Sequence, residues 1–136
     1  MPISYNKSLK TFHLCAQSFS YCLHVQPDGT LINLHWGARL SEEDDLTYLM
    51  NSFNGGASFD PQTARLPMEV PTRGTGYYGL PAVCALNVQG NDLTCLTYES
   101  HEIISGKPAL PGLPATYTET EAEASTLVIR LRDRLT

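Results

Sequence analysis

Positive charge is scarce in this chain: nine basic residues, only three of them lysine, stand against fourteen acidic ones for a net charge of -5. A surface that grips phosphates needs clustered Lys and Arg, so nucleic acid is excluded as a partner. Long apolar runs are missing as well. No stretch approaches the roughly 20 apolar residues of a membrane span, and Met1-Pro2-Ile3-Ser4-Tyr5-Asn6-Lys7 lacks the apolar centre of a secretory leader. No membrane partner is expected, and the expected location is cytoplasmic. Metal-type cysteine spacing is also absent. Cys15, Cys22, Cys84 and Cys95 form no C-x2-4-C pair and the four histidines do not fall at ligand intervals, so no metal is expected. Each cysteine pair flanks a turn and is placed to face across a hairpin, yet reduced, mostly buried thiols are the expected state in a cytosolic protein. Finally, no Ser-His-Asp order, phosphate-binding loop, dinucleotide fingerprint or helical metal motif can be assembled. A stand-alone catalytic mechanism therefore has no residues to carry it, and no cofactor is expected.

What is present is strand-forming sequence. At 136 residues the chain has the length of one domain, able to bury roughly two thirds of its unfolded surface. The runs 11–16 and 20–25 are short, aromatic and β-branched, and Pro27-Asp28-Gly29 supplies a tight turn before 31–36. Residues 82–88 and 93–98 flank Gly90-Asn91-Asp92 and predict a second hairpin. Residues 125–132 alternate, with Leu127, Ile129 and Leu131 on one face. The expected core is Leu14, Leu23, Val25, Leu34, Leu86, Val88, Leu96, Leu127, Ile129 and Leu131. Between the strands, 38–81 reads as one long loop rich in Gly, Pro, Asn and Ser. Within it Ser41 and the acids 42–45 favour a helix N-terminus, which predicts one or two turns of helix over 46–50. A loop of that length is uncommon unless it has a task or a partner. Residues 108–114 read as an extended, polyproline-like connector.

Each candidate residue has a plain structural reading beside the functional one. The acids 42–45 suit a cation or sugar hydroxyls, but charge runs are usually solvated faces. Glu119, Glu121 and Glu123 share one face if extended, which also demands solvent. His13, His24, His35 and His101 lie in or beside strands, where hydrogen-bonded structural histidines are the common case. Trp36, the single tryptophan, either stacks on a sugar or sits half-buried at a strand end with its indole N–H bonded to a loop.

The last third is the most specific. Tyr98, His101, Ile103, Gly106-Lys107-Pro108, Leu110, Gly112-Leu113-Pro114-Ala115-Thr116-Tyr117, Glu123-Ala124 and Thr126-Leu127 run in one order. Upstream stand Leu66-Pro67, Glu69, Pro71, Gly74, Gly76, Tyr78 and Pro81-Ala82, and earlier still Phe12-His13-Leu14, Ser20-Tyr21, Gly29, Leu31 and Trp36-Gly37. Together these blocks resemble the N-terminal β-sandwich domain of glycoside hydrolase family 36 α-galactosidases along nearly the whole chain. The resemblance implies an all-β, antiparallel sandwich of the supersandwich type over 1–136, incomplete at its C-terminal end. It also implies a parent several times longer, whose two catalytic aspartates sit on a downstream (β/α)8 barrel. Such a parent would be a retaining hydrolase of terminal α-1,6-galactosides such as raffinose, melibiose and stachyose, with its carboxylates about 5 to 5.5 Å apart. This chain alone would be inactive, and as a cut sandwich with open edges it is expected to self-associate. Its partners would be the barrel, the other subunits of a homo-oligomer and, through the parent, the oligosaccharide. In relatives the loop after the Trp-Gly pair crosses to a neighbouring subunit and shapes the sugar pocket with an acidic and a basic residue. That role would fall to Asp60 and Arg65, with Asp44, Asp45 and Trp36 nearby. The chain departs from the pattern at Tyr77-Tyr78-Gly79, where relatives carry Asp, an aromatic and Arg. Two other roles fit the residues: a free carbohydrate-binding module, which needs an exposed aromatic platform, and an assembly domain, which needs only a large apolar surface.

Overall fold

The computed structural model describes residues 2–41, 45–46, 48–49, 67–77, 79–86 and 88–135. Among the described residues, six strands form two antiparallel sheets. The first sheet contains β1 (Ile3–Asn6), β2 (Thr11–Cys15), β3 (Phe19–Val25) and β4 (Leu31–Ala38), paired in that order; β5 (Leu96–Ser105) and β6 (Ser125–Asp133) form the second. Local chemistry makes the turns. Asn6 Oδ1 accepts from the Ser8 and Leu9 N–H groups, closing an Asx turn between β1 and β2. In the expected Pro27-Asp28-Gly29 turn, Asp28 accepts from the Thr30 N–H and hydroxyl, and Gly29 takes φ 88°. A Cβ at Gly29 would come within 3.0 Å of Thr97 Cβ, and the Gly29 carbonyl accepts from the Tyr98 N–H at 2.8 Å. The hairpin tip of the first sheet is thereby bonded to the second.

Face-to-face packing makes the sandwich. Phe12, Leu23, Val25 and Leu31 are buried from the inner face of the first sheet, with Tyr98, Leu127 and Ile129 packed on them. Each such side chain contributes about 1.5–3 kcal/mol by leaving water. The outer face carries a second cluster of Cys22, Ile32, Leu34 and Leu46, flanked by Leu40 and Leu49. Leu23, Val25 and Leu34 are buried as expected, and Leu14, Leu96, Leu127, Ile129 and Leu131 are half-buried. All four cysteines are unpaired; three are buried and Cys84 is exposed.

Four expectations fail. Residues 82–86 form no strand, and Leu86 and Val88 are 75% and 97% exposed instead of lying in the core. The backbone that would pair with them is already engaged. Thr94 C=O accepts from the Gly74 N–H, Cys95 C=O accepts from the Arg134 N–H, and the Cys95 N–H donates to Asp133 Oδ1. The 38–81 stretch is not a loop to its end, because 67–69 lies along β4: Asn33 N–H donates to Pro67 C=O, Glu69 N–H to Leu31 C=O, and Ile32 bridges Met68. The 108–114 connector holds a turn, closed by the Leu113 N–H on Leu110 C=O with Gly112 at φ 77°. Glu121–Glu123 is a 3-10 turn, not extended backbone, and the Glu123 carboxylate accepts from the Glu119 N–H and the Thr120 hydroxyl. Of the short helix expected at 46–50, Tyr48 and Leu49 are helical, with Leu49 N–H on Leu46 C=O; Thr47 and Met50 lie outside the described residues.

Candidate functional site

A one-residue irregularity in β4 decides where Trp36 points. Strict alternation from Leu31 would put Trp36 on the same face as Ile32 and Leu34. Instead the register slips between Cys22 and Leu23, so that Leu23 opposes Asn33, Cys22 opposes His35, and Tyr21 opposes Trp36. Such a bulge re-aims every side chain beyond it. Trp36 thus emerges beside Tyr21 on the inner face, past the area that β5 and β6 cover. Its ring meets Tyr21 edge-on at 4.8 Å and Phe19 at 5.5 Å, both within the range of favourable aromatic pairs. Trp36 remains 68% exposed. The half-buried tryptophan expected from its place at a strand end is corrected: the bulge carries it onto an uncovered patch.

Beneath it lies a polar hub. The Tyr21 hydroxyl donates to one oxygen of the Glu69 carboxylate, and Asn33 Nδ2 reaches the other at 3.4 Å. Burial, and then the Glu69 carboxylate beside it, hold the Tyr21 hydroxyl protonated well above the ordinary phenol range. The 67–69 segment that delivers Glu69 is itself bonded to β4, so both ends of the stretch between Ala38 and Pro67 are anchored on one strand. Burial of Leu46 against Cys22, Ile32 and Leu34 ties the first part of that stretch to the outer face.

Of the site residues proposed from sequence, Trp36 and Asp45 can be placed; Asp45 is exposed one residue before buried Leu46. Asp44, Asp60 and Arg65 lie outside the described residues. Phe19, Tyr21 and Asn33 were not singled out as site residues, and Glu69 stood only as a motif letter. The signal was the i, i+2 spacing of Phe19 and Tyr21 on a strand ending near Trp36.

His101 and His13 are engaged within the fold. His101 Nδ1 lies 2.6 Å from the Tyr98 hydroxyl, and its ring packs against Tyr5 and Phe12. His13 Nε2 is 2.8 Å from Ser20 Oγ and 3.1 Å from Cys15 Sγ. Burial, and then neighbouring Cys15, push the Cys22 thiol up to about 11. Among the described residues no group of three His, Cys, Asp or Glu is arranged to hold a metal ion. The arrangement offers an exposed indole on an aromatic base whose Tyr21 hydroxyl is held by a carboxylate and, through it, an amide. An exposed indole of this kind can stack on the apolar face of a ring.

Comparison with known proteins gives this geometry a context. Residues 29–136 match the glycosyl hydrolase family 36 N-terminal domain. The chain is similar to alpha-galactosidase AgaA of Geobacillus stearothermophilus, 36% identical over 99% of this chain and 19% of that protein. The crystal structure of the family 36 alpha-galactosidase AgaB from the same organism superposes with a TM-score of 0.81 at 36% identity, again over 99% of this chain and 19% of that one. A variant of AgaA crystallised with raffinose superposes at a TM-score of 0.75 and 34% identity, over 93% of this chain and 18% of that one. The chain thus spans about a fifth of the length of the curated relatives it matches. With a family match over 29–136 and a relative 36% identical along 99% of this chain, the protein belongs to glycoside hydrolase family 36 as an N-terminal domain.

Proposed function

We propose that the chain is the accessory N-terminal domain of an enzyme hydrolysing terminal α-1,6-galactosides such as raffinose, melibiose and stachyose. It packs on a catalytic barrel and lends residues to the sugar pocket across a subunit interface. The observation that carries this reading is Trp36, exposed on an aromatic base on the very strand that anchors both ends of the 38–67 stretch. In this reading Asp44, Asp45, Asp60 and Arg65, together with Trp36, are the residues lent to the neighbouring subunit's sugar pocket. AgaA, the relative solved with raffinose, supports the substrate class. An apolar cleft of about 430 Å³ at Val83, Leu86, Val88 and Leu96 supports assembly, since exposed apolar surface favours burial against another body. Four unpaired thiols support a cytoplasmic setting.

The test is kinetic. In the full-length enzyme, Trp36→Ala, Asp60→Ala and Arg65→Ala should each raise KM or lower kcat for raffinose while leaving thermal unfolding of the barrel in place. Unchanged kinetics for all three would defeat the reading. The 136-residue chain by itself should release no nitrophenol from an α-galactoside, because retaining hydrolysis needs two positioned carboxylates. A second reading, a free carbohydrate-binding module, is favoured by the exposure of Trp36. Saturable binding of raffinose to the isolated chain in calorimetry would select it; assembly seen by light scattering without sugar binding selects the accessory role.

A further inference from the structure

Glu69 occupies a position that the sugar-pocket reading leaves unused. Its backbone is fixed by the N–H bond to Leu31 C=O, one residue from the Ile32–Met68 bridge, so the side chain leaves β4's edge at a set point. From there the carboxylate crosses β4 to Asn33 and reaches Tyr21 on β3. Tyr21 in turn meets the Trp36 ring edge-on, with centroids 4.8 Å apart and planes at 70°. An indole that is 68% exposed has few neighbours to set its rotamer, and among the described residues Tyr21 and Phe19 are its aromatic contacts. A tyrosine whose hydroxyl is tied to an anchored carboxylate is a fixed wall; a phenylalanine or an untied tyrosine is not. Charge-assisted bonds of this kind are shorter and stronger than neutral ones.

We infer that Glu69 is a positioning residue: by holding Tyr21 and Asn33 it fixes the wall against which Trp36 rests, and so sets the angle of the exposed indole toward a sugar ring. The inference rests on the reading that Trp36 touches substrate, and the two are separable by experiment. Trp36 is the sole tryptophan of the chain, so its near-ultraviolet circular dichroism reports on its immobilisation alone among indoles. Glu69→Ala and Tyr21→Phe are each expected to weaken that indole band while the far-ultraviolet β signal persists. In the full-length enzyme both should raise KM for raffinose about tenfold with kcat little changed, the scale of one lost charge-assisted hydrogen bond. Because they act through Trp36, the double variant Trp36→Ala/Glu69→Ala should be no worse than Trp36→Ala. An unchanged KM for Trp36→Ala overturns the sugar contact itself. A raised KM for Trp36→Ala beside unaltered values and an intact indole band for Glu69→Ala and Tyr21→Phe overturns the positioning role alone. Additive losses in the double variant place the effect of Glu69 elsewhere and also overturn it.

Discussion

The inner face of the first sheet has two ends that the same strands build and that differ in what covers them. At one end Phe12, Leu23 and Val25 lie under Tyr98, Leu127 and Ile129 and are buried. At the other, Phe19, Tyr21 and Trp36 extend the same strands with similar residue types, yet Trp36 is left in the open. Apolar character alone does not assign a residue to a core; a second layer must arrive over it. The covered end buries its rings, and the open end leaves its indole to solvent.

The sharpest way to break this contrast is to truncate one ring at each end. Phe12→Ala removes a fully buried ring and should cost about 3–5 kcal/mol in urea unfolding, which would unfold much of a marginal domain. Trp36→Ala should cost less than about 1 kcal/mol in the same measurement, because little of the indole leaves water on folding. Equal losses at the two ends would abolish the distinction.

A smaller effect tests how the second sheet is held. A Cβ at Gly74 would lie 2.3 Å from the Thr94 carbonyl oxygen, and the Gly74 N–H already donates to that oxygen. Gly74→Ala should therefore destabilise by about 1–3 kcal/mol, the range for overpacking, read as a lower denaturation midpoint. Gly90, where nothing lies within 4 Å, tests the left-handed turn alone, with φ 79° the only obstacle to a side chain.

Acid should act on the covered hairpin through His24. Burial first, and then nearby Lys10, lower its pKa against an opposing hydrogen bond to the Leu9 backbone. The folded state therefore refuses a proton that the unfolded chain accepts below the ordinary imidazole value of about 6.5. Stability should fall as pH drops through that value and gain nothing from His24 above it. His24→Gln should flatten this part of the stability profile; an unaltered slope would assign the acid sensitivity to other groups.

The smallest effect is expected at the β5–β6 surface. Arg130 and Glu102 pair at 2.6 Å, but each side chain is about half exposed. Arg130→Ala should change stability by less than about 1 kcal/mol, and less again in high salt. A larger loss would show that the second sheet depends on its outer charges as well as on Leu127 and Ile129.

Much of the fold was legible because the information is local. Period-two patterns mark β2, β3, the start of β4 and β6, and Pro27-Asp28-Gly29 states its turn through proline's fixed φ and glycine's left-handed one. The 82–88 run carried an equally good pattern and failed. Alternation says that a segment suits a sheet, not that an unpaired neighbour will be there to receive it, and Thr94 and Cys95 had already been claimed by Gly74, Arg134 and Asp133. The site was less legible than the fold. Trp36 was visible as the only tryptophan, but its face depends on a register slip one turn of the pleat earlier, and no residue between 31 and 36 announces that slip.

The sequence by itself determined the class of this protein: an acidic, antiparallel β-domain of glycoside hydrolase family 36. Those properties follow from composition, from turn chemistry that acts within four residues, and from ordered motifs along the chain. The tertiary structure alone decided that β5 pairs with β6, that 67–69 closes on β4, that Glu69 reaches Tyr21, and that Trp36 faces outward. These are contacts between residues up to 48 positions apart. They depend on which backbone donors remain free once the strongest ladders have formed, a competition that no single segment can express.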